Sequence, residues 1–153
     1  MTYTPMILAD VFRNSKYSRQ AEFNSYLGEG VVVQFAVNDA VMAADAAELV
    51  CRYSSGVDLN CGCPQKWAIQ EGIGCALLQN PELVKDIVRQ VKQRTSSIKM
   101  ANGKSFPCST KIRVHSNIAE TVELVRRAEQ VGVDWIIIIM QSDMHLSRSK
   151  LRL

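Results

Sequence analysis

The stretch NCGCPQKWAIQEGIGCALL (residues 60–78) carries Cys61, Cys63 and Cys75 among three glycines and one proline. Thiols so placed can bind a metal, close a disulfide, fill a core or do chemistry. A structural zinc site takes four Cys or His ligands, usually as two close pairs. Cys61, Cys63 and Cys75 offer no second pair at that spacing, and His115 is distant in the chain. The five cysteines are an odd number without framework spacing, so free thiols are expected rather than bridges. Cys51, Cys75 and Cys108 read as small buried hydrophobes. Cys63 differs because it stands between Gly62 and Pro64, just past a strand-like run. Proline disfavours helical geometry in the residue before it and lacks an N–H, and glycine lets the backbone turn. A core role would also suit a cysteine, but these neighbours hold the Cys63 thiol on a rigid loop at a strand exit.

The loop belongs to a chain of alternating β-type and amphipathic segments. Strands are predicted at TPMIL (4–8), VVVQFAV (31–37), GVDLNC (56–61), STKIRV (109–114) and DWIIII (134–139). Helices are predicted over about 10–26, 39–54, 81–94 and 117–131, with a short one near 65–71. Asp39, Asn80 followed by Pro81, and Asn117 supply N-terminal caps. Repeated strand–helix units imply parallel strands joined by right-handed crossovers. The fold class is therefore α/β, either an open doubly wound sheet or part of a (β/α)8 barrel. No strand is followed by GxGxxG, so the dinucleotide-binding form of the open sheet has no support.

Side chains alternate between the two faces of a strand. In VVVQF, Val31, Val33 and Phe35 share one face and Gln34 takes the other. In VDLN, Val57 and Leu59 oppose Asp58 and Asn60. In TKIRV, Thr110, Ile112 and Val114 oppose Lys111 and Arg113. Three strands thus carry polar groups late in their length, away from the apolar face. If helices cover the apolar face of a barrel, Gln34, Asn60, Lys111 and Arg113 point inward near its C-terminal mouth. Barrels of this kind place their active sites there.

The composition excludes other classes. No apolar run reaches the roughly 18 residues of a membrane span, and WIIII at 135–139 is strand-sized. The N-terminal MTYTPMILADVF has no basic region and no small-residue cleavage site, so no signal peptide is expected and a cytoplasmic location is. A net charge of +3 permits a nucleic-acid partner without arguing for one.

The segments TPMI, VQFA, DLNCGCPQ, EGIGCALLQNPELV and TKIRVH, in this order and spacing, resemble the flavin-dependent tRNA-dihydrouridine synthases. NCGCPQKWA and YTPMI are most similar to the eukaryotic tRNA-dihydrouridine(20a/20b) synthase branch. The resemblance implies a partial TIM (β/α)8 barrel of about five parallel strands with intervening helices. It divides the chain into an FMN-binding barrel portion, 1–136, and a divergent, irregular tail, 137–153. The implied activity is reduction of uridine in tRNA to 5,6-dihydrouridine, with FMN as cofactor and NAD(P)H as reductant; no metal or membrane is involved. Cys63 matches the general acid that gives a proton to C5 of uracil. A thiol of pKa about 8.5 is protonated at neutral pH and can do this. Asn60 matches the residue holding the uracil and Arg113 one near the substrate nucleotide. Gln34 and Lys111 match residues on the flavin ring, and Pro5 and Met6 the strand end packed against it.

The chain also departs from the family pattern. The family continues after VDWI with TVHGRT, whose histidine contacts the flavin; Ile139 stands at that place. A closed barrel needs eight strands, and the phosphate-binding strands and the tRNA-gripping helical domain have no counterpart here. The alternative reading is therefore a catalytically dead truncated form, or an RNA- or protein-binding remnant. WIIII, uncharged and of high β-propensity, is also an expected aggregation-prone edge.

Overall fold

The structure, a computed structural model, describes residues 1–23 and 30–140. Its first strand is interrupted. β1 (Thr2–Tyr3) and β2 (Ile7–Leu8) both pair with β3 (Val31–Ala36), in registers one residue apart: Thr2 lies opposite Val31 but Ile7 opposite Phe35. Pro5 falls in the gap. There the Gln34 N–H donates to Thr4 Oγ1 at 3.0 Å, so the irregularity leaves no buried backbone donor unpaired at this point.

The single helix predicted over 10–26 is two, α1 (Ala9–Asn14) and α2 (Lys16–Glu22), broken at Ser15. The Ser15 hydroxyl caps α2 by accepting the Ser18 N–H at 3.1 Å. Residues 24–26 of that prediction lie outside the described residues. The remaining elements follow the predicted alternation: α3 (Ala40–Val50), β4 (Gly56–Cys61), α4 (Lys66–Gln70), α5 (Pro81–Arg94), β5 (Cys108–Arg113), α6 (Ile118–Gln130) and β6 (Trp135–Ile139). A 3-10 helix at Gly74–Gln79 was not predicted. The caps sit where the sequence puts them. Asp39 accepts from Met42 N–H at 2.8 Å, Asn80 from Leu83 N–H at 3.2 Å and Asn117 from Ala119 N–H at 3.1 Å.

Every pairing between these strands is parallel, in the order β1-β3-β4-β5-β6, with β2 also on β3. The outer face carries Val33, Phe35, Val57, Leu59, Cys61, Cys108 and Ile112 into one core with Ala43, Ala46 and Ala47 of α3 and Val84, Ile87, Val88 and Val91 of α5. The α5 set has the i, i+3, i+4, i+7 spacing of a single helix face, and the alanines of α3 let its backbone approach closely. Each fully buried aliphatic side chain of this set contributes about 1.5–3 kcal/mol.

The inner face is concave. Tyr3 on β1 and Trp135 on β6 stand at opposite ends of the strand order, yet Trp135 Nε1–H donates to Tyr3 Oη at 2.7 Å. The sheet has curled until its two outer strands meet through aromatic side chains near their N-terminal ends. This is a five-strand parallel half-barrel with helices outside, as the alternation and parity predict. At the β6 edge, Asp134 Oδ2 accepts from Cys108 N–H and Lys92 Nζ, both at 2.7 Å, tying the strand to β5 and α5. Residues 137–139 belong to β6; residues 141–153 of the predicted tail lie outside the described residues.

Candidate functional site

Strand register arranges the inner face in rows. Gln34, Asp58, Ser109 and Trp135 are successive cross-strand partners in one row, Asn60, Lys111 and Ile137 in the next, and Arg113 and Ile139 beyond them. Much of this polar surface is closed to solvent: Gln34, Asp58 and Ser109 of the first row and Asn60 of the second are buried, and Trp135 is half-buried. Ser109 Oγ–H donates to Asp58 Oδ1 at 2.6 Å, Gln34 Nε2–H to Asp58 Oδ2 at 2.8 Å, and Asn60 Nδ2–H to Gln34 Oε1 at 2.7 Å. Asn60 Oδ1 then accepts the N–H groups of Gly62 and Cys63, at 3.0 and 2.9 Å. Burial pushes the Asp58 carboxyl above its ordinary pKa, against the hydrogen bonds from Ser109 and Gln34 and the charge of Lys111.

Cys63 is half-buried where this network ends, against the cluster of Ala36, Ala68 and Ile73 on which Met6 also packs. Its carbonyl accepts the Cys75 N–H at 2.9 Å. Gly74 makes that approach possible. With φ at 62° it is left-handed, and a Cβ there would lie 2.7 Å from Cys63 O and 2.9 Å from Cys63 Cβ. The 3-10 helix that begins at Gly74 is held from its other end by His115. Its ring Nε2 lies 3.0 Å from Leu78 O and its Nδ1 3.0 Å from Thr121 Oγ1. A carbonyl only accepts, so Nε2 carries the proton.

Lys111 and Arg113 bring positive charge to the same mouth. Arg113 Nε–H donates to Gly62 O at 2.6 Å. Lys111 is half-buried, and its ammonium has no hydrogen bond or ion pair among the described residues. Pro5 lies exposed in the interruption of the first strand, with Met6 half-buried beside it.

The structure thus gathers Met6, Gln34, Asn60, Cys63, Lys111 and Arg113 at one end of the concave face, with Pro5 on its rim. Two details differ from the expectations drawn from the sequence. Gln34 and Asn60 are buried and bonded to each other rather than lining an open mouth. Cys75, read as a buried hydrophobe, is half-buried at the site. Burial raises its thiol pKa, partly offset by nearby Arg113. Asp58, Ser109 and Gly74 escaped notice as site residues, although the alternation already put Asp58 on the polar face. Cys61 faces the outer core; complete burial pushes its pKa up to about 12. Among the described residues no three His, Cys, Asp or Glu side chains are grouped to hold a metal ion, and no helix is long and apolar enough to cross a membrane.

A parallel half-barrel with a thiol, a lysine and an arginine at its C-terminal mouth is the frame of a barrel-type α/β enzyme. The chain belongs to the dihydrouridine synthase (Dus) family, whose sequence model matches residues 1–150. It is similar to the mouse protein tRNA-dihydrouridine(20a/20b) synthase [NAD(P)+]-like, 48% identical over 139 residues, 90% of this chain and 41% of the relative. The human counterpart is 45% identical over 90% of this chain and 42% of its own length. The tRNA-dihydrouridine(20a/20b) synthase [NAD(P)+] of Schizosaccharomyces pombe is 42% identical over 90% of this chain and 40% of its own length. The chain spans about two-fifths of the length of these curated relatives.

Proposed function

We propose that this chain is part of the catalytic barrel of an NAD(P)H-dependent tRNA-dihydrouridine synthase that uses FMN. The observation that carries the reading is the placement of Cys63: a half-buried thiol on a loop fixed by Asn60 and Gly74, at the end of the concave face that also carries Lys111, a lysine with no hydrogen bond or ion pair among the described residues. These residues suit a flavin. An ammonium left without a partner among the described residues fits a ring that becomes anionic on reduction, a favourable pairing that is stronger in a dry site. Met6 and Pro5 offer the ring an apolar margin, and Gln34 a fixed amide. FMN, when bound, supplies hydride to C6 of uracil after reduction by NAD(P)H.

The chain's own residues do the rest. Cys63 Sγ gives its proton to C5 of uracil, and solvent reprotonates the thiolate. Asn60 has committed its oxygen to two backbone N–H groups and one N–H to Gln34, so the other N–H is what it offers. That donor suits a uracil carbonyl oxygen. Arg113, anchored on the Gly62 carbonyl, puts a cation where the nucleotide's phosphates approach. A cytoplasmic location goes with a tRNA substrate.

The five described strands close only part of a barrel. On that ground we propose that the 153 residues by themselves neither retain flavin nor reduce tRNA. The test is to graft the chain into the full-length mouse relative in place of the matching segment. Flavin-to-protein ratio and dihydrouridine in an unmodified tRNA are then compared with those of the chain alone. A yellow, active graft and a colourless, inactive chain are expected. A graft that binds flavin but forms no dihydrouridine would favour the remnant reading.

A further inference from the structure

The hydrogen bonds beneath Cys63 run in one direction, and the groups at the two ends set that direction. At one end Asp58 in its carboxylate form can only accept. Gln34 must therefore turn Nε2 toward it, which leaves Oε1 facing Asn60. Asn60 must then present Nδ2 to Gln34, which leaves Oδ1 facing the N–H groups of Gly62 and Cys63, where only an acceptor will serve. An amide alone could sit either way round; between these ends one arrangement satisfies every group. Ser109 completes the acceptor end by donating to Asp58 Oδ1 at 2.6 Å. All four side chains are buried, so water is poorly placed to replace a bond that is lost.

We propose that Asp58 is a positioning residue for Cys63, acting through Gln34 and Asn60: it sets the polarity of the relay that holds the Gly62–Cys63 backbone. The inference rests on the proposed function only in taking Cys63 as the proton donor. Asp58 touches neither Cys63 nor the mouth; its influence crosses two intervening side chains. A carboxyl group kept in this dry row, despite the cost of burying it, is accounted for by that wiring.

The wiring can be tested by reversing it. In the full 153-residue chain, Asn60→Asp would put carboxylates on both sides of Gln34, whose amide has donors at one end only. Urea unfolding followed by circular dichroism should show the unfolding equilibrium constant rising about 100-fold, as expected for a buried charge left without a donor. Adding Asp58→Asn lets the Gln34 amide turn round so that every donor again meets an acceptor. The double variant should return to within about tenfold of the unsubstituted chain, a large non-additivity for neighbouring sites. If Asn60→Asp does not fold at all, recovery of folding in the double variant is the same result. A double variant no more stable than Asn60→Asp alone would overturn the proposal, because groups that are merely buried together do not rescue one another. A second readout is amide exchange. Asp58→Asn alone removes the acceptor-only end, so that the backbone N–H groups alone oppose a reversed relay, and should speed exchange at Gly62 and Cys63 by about threefold. Unchanged exchange there would equally overturn it. Neither readout involves flavin, nicotinamide or tRNA, so failure of the relay and failure of the assigned activity are distinguishable.

Discussion

The two faces of β3, β4 and β5 bury their side chains about equally well and use the burial in opposite ways. On the outer face Val33, Phe35, Leu59 and Ile112 pack against α3 and α5 without any polar bookkeeping. On the inner face Gln34, Asp58, Asn60 and Ser109 are just as dry, and each carries a specific hydrogen bond. Cys61 and Cys63, two positions apart, belong to different worlds. Cys61 is sealed in the core, with its thiol pKa pushed to about 12; Cys63 is half-buried past the strand end, on a backbone fixed from both sides. Apolar packing holds the sheet in place, and it tolerates small changes of shape. The polar face places individual atoms, and it tolerates few changes of any kind.

That contrast predicts the largest structural cost outside the core at Gly74. Gly74→Ala places a methyl against Cys63 O and Cβ at a left-handed backbone position. It should cost about 2–5 kcal/mol, roughly 1–2 from the backbone and 1–3 from overlap. Gly103, also left-handed (φ 78°), has open space where the methyl would go, so Gly103→Ala should cost only the backbone part. Denaturant midpoints of the two variants measure the difference; equal losses would remove Gly74 from the site.

Lys111→Met comes next. In the graft, it should weaken reduced flavin about tenfold more than oxidised flavin, lowering the midpoint potential by about 30 mV. A potential that does not fall would show that the lysine's charge serves something else. The smallest effect is expected at the exposed sheet edge, on β6. Ile138 on β6 is 51% exposed, so Ile138→Lys should shift stability by no more than about 0.5 kcal/mol. It should also raise the soluble yield of the chain, because a charge blunts an apolar edge. A loss above about 1 kcal/mol would mean that this position is packed.

Alternation and caps made most of this legible before the structure. VVVQFA and GVDLNC declared their strands and their faces, and Asp39, Asn80 and Asn117 marked three helix starts. Ser15 could have announced the break between α1 and α2, since a serine mid-helix is a potential cap; the amphipathic pattern running through it hid that. The 3-10 helix after Gly74 had no periodicity to read, being fixed by contacts with Cys63 and His115 that are remote in sequence. Parity put Gln34, Asn60 and Asp58 on one face, but alternation says which way a side chain points and not what it touches. The relay among them depends on register between two strands, β3 and β4, with Ser109 joining from a third, and no single strand encodes that. Asp58 was passed over for that reason, and Cys75 because its neighbours in space, Cys63 and Arg113, are supplied by another loop and another strand.

Cys63 and Cys61 have different surroundings despite their proximity in sequence, and different roles are expected of them. The most direct test is dihydrouridine formation in unmodified tRNA by the graft, comparing Cys63→Ala with Cys61→Ala at matched flavin content. Loss of a positioned general acid costs about 10²–10⁴-fold, so Cys63→Ala should lose turnover on that scale while retaining flavin, and Cys61→Ala should stay within about tenfold of the unsubstituted graft. Near-normal turnover by Cys63→Ala, or equal damage from the two substitutions, would contradict the assignment of the thiol at the mouth as the proton donor.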